Sequence, residues 1–227
     1  MTDAQGHPQP LSDDLAFFGR ISAGVTHELN NVVSIIEQVT GLLEDQLYSA
    51  NAGGTLDVDK LQSVHDRIMT QIDRGVELIH NLNRFSHTVD EAERDTDLNE
   101  LMAILSVLGR RFAALKNVSF DVSLSTASII VRCSPYRLLE AMFAVELTAL
   151  TTMNPDDQLT LAMIHESGRA GIRVTGGTFD NLSDSMELSR AQAILAEMNG
   201  ELQLLDDDTF GQKIEIWLPA TVITDVF

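Results

Sequence analysis

Apolar residues in the first part of the chain recur every three or four positions. Phe18, Ile21, Val25, Leu29, Val32, Ile36, Val39 and Leu43 form one series. Its average spacing of about 3.5 describes a helical seam packed along its whole length against other helices. The pattern extends over residues 13–48, a helix of roughly 54 Å at 1.5 Å per residue. Ser49-Ala-Asn-Ala-Gly-Gly-Thr interrupts it as a turn, and a second stripe follows in Leu61, Val64, Ile68, Ile72, Val76, Ile79 and Leu82. Two long helices joined by a short loop predict an antiparallel hairpin. One hairpin cannot cover a seam on each of its helices, whereas two hairpins form a four-helix bundle, so the pattern predicts a homodimer.

Residues 1–12 are polar and hold two of the five prolines, which predicts a flexible leader. The hairpin is assigned to 13–88, and the charged, aperiodic stretch 89–97 to a linker. Beyond it, over 98–222, helical and strand patterns mix. Helices are expected at 98–114, 135–151 and 185–198, the second opening on Pro135, which suits a first helical turn. Branched or alternating stretches at 118–124, 129–133, 159–165, 172–174, 202–205 and 213–218 predict strands. Helices beside a mostly antiparallel sheet make a sandwich, so the whole chain reads as α+β, a helical hairpin followed by an α/β sandwich.

Charge narrows the function. Fifteen Lys and Arg against 34 Asp and Glu give a net charge of −19, a surface that repels phosphate backbones and anionic lipid. Nucleic acid and membrane are therefore not expected as partners. No apolar run approaches the roughly 20 residues that span a bilayer. The opening residues lack the basic and apolar segments of a signal peptide. A lone cysteine, Cys133, can form neither an internal disulfide nor a cysteine-based zinc site, and its strand-like neighbours make it a buried small hydrophobe. These features point to a soluble, cytoplasmic protein.

Candidate chemistry lies on the first helix. On a helical wheel the seam passes through Val25, Leu29, Val32 and Ile36. His27 falls on the opposite face, Asn31 one turn further along it, and Glu28 at the shoulder. Geometry alone fits a solvated helix face as readily as a site. The local sequence, Ile-Ser-Ala-Gly-Val-Thr-His27-Glu28-Leu-Asn-Asn31-Val-Val-Ser-Ile-Ile, resembles the phosphoacceptor box of bacterial sensor histidine kinases, carried on the first helix of a dimerising hairpin. Arg74-Gly-Val-Glu-Leu-Ile-His-Asn-Leu-Asn-Arg-Phe resembles the second helix of that hairpin. Asp97-Leu-Asn-Glu-Leu resembles the entry to the family's ATPase domain, and Gly211-Gln-Lys-Ile-Glu-Ile-Trp-Leu-Pro219 its final strand. The resemblance implies His27 as phosphoacceptor, Glu28 as the group that polarises or deprotonates it, and Asn31 at the place where an amide orients water in phosphatase members. Val32 stands where many members have a kinking proline.

The same comparison implies that ATP is not used. Val145 and Ala149 stand where the family's metal-holding asparagines would fall, and Glu146 could chelate only from a register one residue off. Arg173-Val-Thr-Gly176-Gly177-Thr-Phe keeps two glycines but lacks the aspartate that reads adenine. Ser185-Met-Glu187-Leu-Ser lacks glycine where phosphates would lie, and 180–184 is too short for a nucleotide lid. Gly176-Gly177 reads as a tight turn. His65, His80 and His87 show no i, i+4 pairing suited to zinc, and 206–208 reads as an acidic turn without calcium-loop spacing.

The expected function is therefore histidine phosphotransfer in a two-component phosphorelay. A phosphoryl group would move between receiver-domain aspartates and His27, a phosphotransferase chemistry through phosphohistidine without autokinase activity. The chain would bind no cofactor and no metal, Mg²⁺ residing on the receiver. Expected partners are response-regulator receiver domains, an upstream hybrid kinase and a second copy of the chain. Alternatives are an ATP-dependent sensor kinase, a response-regulator phosphatase and a non-catalytic receiver-binding scaffold.

Overall fold

The computed structural model describes residues 13–166, 168–177, 179, 185–207 and 211–224. The leader at 1–12 and the segment at 180–184 lie outside these. The chain divides into two compact units, Met1–Asn83 and Arg84–Phe227.

The first unit is a helical hairpin of α1 (Asp13–Asn51) and most of α2 (Val58–Ser86). Helix α1 is unbroken through Val32, so a branched residue at that position leaves the hydrogen-bond ladder uninterrupted. Ile21, Val25, Val32 and Val39 of its seam are buried. Helix α2 differs from the single stripe read from sequence. Val64, Gly75 and Leu78 are buried, while Met69, Ile72, Val76 and Ile79 form a second, open row beside them. Both rows obey the helical period, and α1 of the same chain covers only one.

The second unit is a seven-stranded sheet with helices packed on it, in the order β1-β3-β7-β5-β4-β2, with β6 also pairing β7. The strands are β1 (Arg94–Asp97), β2 (Ser119–Ser123), β3 (Ser128–Cys133), β4 (Gln158–Glu166), β5 (Arg169–Thr175), β6 (Glu201–Asp207) and β7 (Gly211–Thr224). All pairings are antiparallel except β2 with β4. Alternation places Ile214, Ile216 and Leu218 of β7 and Ala170, Ile172 and Val174 of β5 in the core. Helix α5 (Pro135–Thr151) is the central helix. Ser134 caps it, accepting from the Arg137 N–H at 3.4 Å, and nearly every residue along it is buried. Helix α6 (Met186–Glu197) packs beside it, and the buried carboxylate of Glu140 on α5 pairs with the half-buried Arg137 and Arg190 across the two.

Four boundaries depart from the sequence reading. Arg94–Asp97, within the stretch read as linker, is an edge strand paired to β3, with only Thr96 facing inward. A four-residue edge strand with three charged side chains leaves no apolar alternation to read. The helix expected at 98–114 is two, α3 (Leu98–Leu108) and α4 (Arg110–Ala114), meeting at Gly109. Strand β7 continues past Pro219, where a proline reads as an end. There the strand changes partners, β5 and β6 flanking its first part and β3 its last. Asp206 and Asp207, read as part of an acidic turn, finish β6. Among the described residues no helix is long and apolar enough to cross a membrane.

Candidate functional site

Helix α1 carries His27 on its exposed face, with α2 lying against the buried seam on the other side. Gly75 of α2 sits over Val32 of α1, and a Cβ added there would lie 3.4 Å from Val32 Cγ1. Directly beside it, Arg74 Nη2 pairs with Glu28 Oε2 across the hairpin. The Glu28 side chain is 15% exposed and Arg74 46%, so the guanidinium covers a largely sheltered carboxylate.

His27 and Asn31 stand on the exposed side of the same turn. Asn31 Nδ2 lies 3.4 Å from His27 Nδ1 and 3.4 Å from Glu28 Oε1, long contacts that bring imidazole, amide and carboxylate together. The second contact fixes which end of the amide faces inward, because the opposite orientation would set its oxygen against the carboxylate. The three residues singled out from sequence thus adjoin one another. Arg74 is a fourth member to which the sequence reading gave no role. It lies 46 positions from Glu28, and their meeting depends on helix-to-helix register, which no local motif carries.

The remaining histidines among the described residues are dispersed. His65 Nδ1 lies 3.2 Å from Asp66 Oδ1, and the His65 and Gln62 side chains hold the Asp66 carboxyl below its ordinary range. His87 Nδ1 is 2.7 Å from Asp90 Oδ2 in the short 3-10 turn His87–Val89. Among the described residues no three His, Cys, Asp or Glu side chains converge on a point. Cys133 is buried on β3, and desolvation pushes its thiol up to about 11, which leaves it unreactive as a thiolate.

In the second unit, the positions that the resemblance sets against nucleotide-binding elements divide, Val145, Glu146, Ala149 and Gly177 being buried and Gly176 and Glu187 exposed. Val145 and Ala149 are fully buried. Glu146, considered from sequence as a stand-in metal ligand, is also fully enclosed on α5, and neither carboxylate oxygen has a hydrogen-bond partner. It points at Gly109, where an added Cβ would come 2.4 Å from Oε2, and burial pushes the carboxyl up to about 8. Gly176 has φ +111°, and a Cβ there would lie 1.9 Å from the Gln158 carbonyl oxygen, so the turn admits only glycine. Gly177 packs against the ring of Phe179, which is fully buried. Ser185 caps α6, accepting from the Leu188 N–H at 3.3 Å.

No family model and no curated protein matches the sequence. Solved structures do resemble it. The catalytic domain of the histidine kinase ThkA aligns with a TM-score of 0.50 at 15% identity, over 57% of this chain and 97% of that one. The Acinetobacter baumannii histidine kinase AdeS gives 0.49 at 14% identity over 86% and 98%, and the mycobacterial sensor histidine kinase MprB 0.47 at 17% over 56% and 97%. The ThkA match identifies the fold: an α+β chain with an N-terminal helical region and the mixed sheet of a histidine kinase ATPase-like domain.

Proposed function

We propose that this chain is a histidine phosphotransfer protein, passing a phosphoryl group between receiver-domain aspartates and His27 without using ATP. The observation that carries the reading is an exposed mid-helix imidazole with Glu28 and Asn31 beside it, in a chain with a histidine kinase-like fold. In transfer, a lone pair on the imidazole forms an N–P bond as the acyl-phosphate O–P bond breaks. The receiver's aspartate leaves as carboxylate, and the other ring nitrogen keeps its proton. The acyl phosphate already carries the energy, and Mg²⁺ belongs to the receiver. Apolar Val145 and Ala149, where the resemblance places metal-holding asparagines, support a second unit that does without nucleotide. Its role would be to dock the receiver.

The chain would act as a homodimer. The open row Met69, Ile72, Val76 and Ile79 on α2 supports this, as it offers a second hairpin the apolar face that a four-helix bundle needs.

The experiment is transfer from a phosphorylated receiver to the purified chain. Acid-labile label is expected on the wild type and none on His27→Ala, with the dimer intact in both. Label surviving His27→Ala would overturn the assignment. Incubation with Mg²⁺ and γ-labelled ATP is expected to give no His27-dependent label, and label there would replace the relay by an autokinase.

A further inference from the structure

We propose that Arg74 is a positioning residue for His27, acting through Glu28. The inference rests on the phosphotransfer reading and adds a residue that the reading does not need. Glu28 stands next to His27 in sequence, and its Oε1 shares the Asn31 amide with the imidazole. Arg74 reaches across from α2 and takes the other oxygen, Oε2. Gly75, one residue away, lies over Val32 of α1.

The physical consequence is electrostatic as well as geometric. Any phosphoryl donor approaching His27 is anionic. Within one turn of the Glu28–Arg74 pair, the two helices carry the carboxylates Glu28, Asp73 and Glu77, the imidazole of His27, and Arg74 as the one permanent cation. In a chain of net charge −19, an unbalanced carboxylate beside the acceptor would repel the donor. Arg74 offsets that charge and fixes the carboxylate, so that Glu28 can orient the imidazole through Asn31 without obstructing what the imidazole must attack. Deleting the guanidinium alone therefore harms His27 chemistry through Glu28, and deleting Glu28 removes most of the need for Arg74.

The test uses phosphoramidate, a small donor that requires no receiver. The imidazole lone pair forms the N–P bond, the donor's P–N bond breaks, and ammonia leaves. Phosphohistidine formation is followed on the full-length wild type and on Arg74→Gln, Arg74→Lys, Glu28→Gln and the Glu28→Gln/Arg74→Gln double variant, with His27→Ala as blank and circular dichroism to confirm helix content. Arg74→Gln is expected to slow labelling by about tenfold, the scale of one charge contact at partial exposure. Arg74→Lys should recover most of the rate, and in the Glu28→Gln background the Arg74 substitution should change it less than about twofold. Should the Gln variant lose its fold, Arg74→Met, which keeps the apolar stem and removes the charge, carries the same expectation.

Wild-type rates in Arg74→Gln overturn the proposal. So does an equal slowing with and without Glu28, which would make Arg74 a direct contact of the donor, and so does failure of the small donor to label His27 in the wild type. A chain that takes phosphoramidate at His27 in the expected pattern but accepts nothing from a phosphorylated receiver refutes the relay and leaves the role of Arg74 standing.

Discussion

A buried carboxyl without a hydrogen-bond partner is the most unusual single residue in the second unit. Glu146 is enclosed on α5, facing Gly109, and desolvation alone raises its pKa from 4.5 to about 8. Between those values the unfolded chain loses the proton while the folded chain keeps it. The folded state therefore binds more protons, and stability falls as pH rises through that window, by at most about 1.4 kcal/mol per pH unit. Glu146→Gln should abolish this slope. Urea unfolding at pH 5 and pH 8 checks it: the wild type is expected to lose stability between the two and the variant to lose much less. An equal loss in both would place the slope elsewhere. Glu215 on β7 shows the opposite situation. Desolvation opposes its ionisation, but Arg173 Nε at 2.8 Å and Trp217 Nε1 at 2.9 Å donate to its carboxylate and hold it below the ordinary range. Sequence shows both as glutamates in helix or strand patterns. Only the neighbours distinguish one from the other.

At the scale of elements, the two rows on α2 divide the labour of packing. Val64, Gly75 and Leu78 are buried, and Met69, Ile72, Val76 and Ile79 lie open. Placing a charge in the open row should disrupt the proposed dimer and spare the hairpin. Ile72→Glu and Val76→Glu are expected to shift the mass in light scattering from dimer toward monomer with helix content retained. Leu78→Ala should instead lower the unfolding free energy by about 2–5 kcal/mol, the range for truncating a buried leucine. A dimer unaffected by both charge substitutions would remove this face from the interface. The hairpin was legible because two long stripes with an intervening Gly-rich break leave few alternatives. That α2 carries two rows was not, since a seam drawn through Ile72, Val76 and Ile79 and one drawn through Gly75 and Leu78 both keep the helical period. Two of the elements misjudged in the second unit share a cause. Strand β1 and the extension of β7 are held by backbone pairing with β3, and the side chains of Arg94, Asp95, Asp97 and Pro219 would not announce a strand.

The whole molecule carries 34 acidic against 15 basic residues, and a charge of that size acts at long range. Under the proposed function the receiver would approach through a basic edge, so raising the ionic strength should slow association more than it changes the transfer step within the complex. Stopped-flow transfer at two salt concentrations, over a series of receiver concentrations, separates the two. A rate at saturating receiver that falls as steeply as the association rate would locate the salt effect in the chemistry instead.

Sequence by itself determined most of the helices and strands, the α+β class and the face of α1 on which His27, Glu28 and Asn31 stand, because helical and strand periods are local properties that a few turns of chain display. The bare backbone at Gly176 likewise follows from a turn that sequence reads correctly. Tertiary structure alone decided that Arg74 meets Glu28, that Glu146 faces Gly109 with no partner, that Phe179 enters the core, and that β7 passes from one set of neighbours to another at Pro219. Each of these depends on where a distant segment lies. Register between packed elements is fixed by the sum of many weak contacts, and no short stretch of sequence contains that sum.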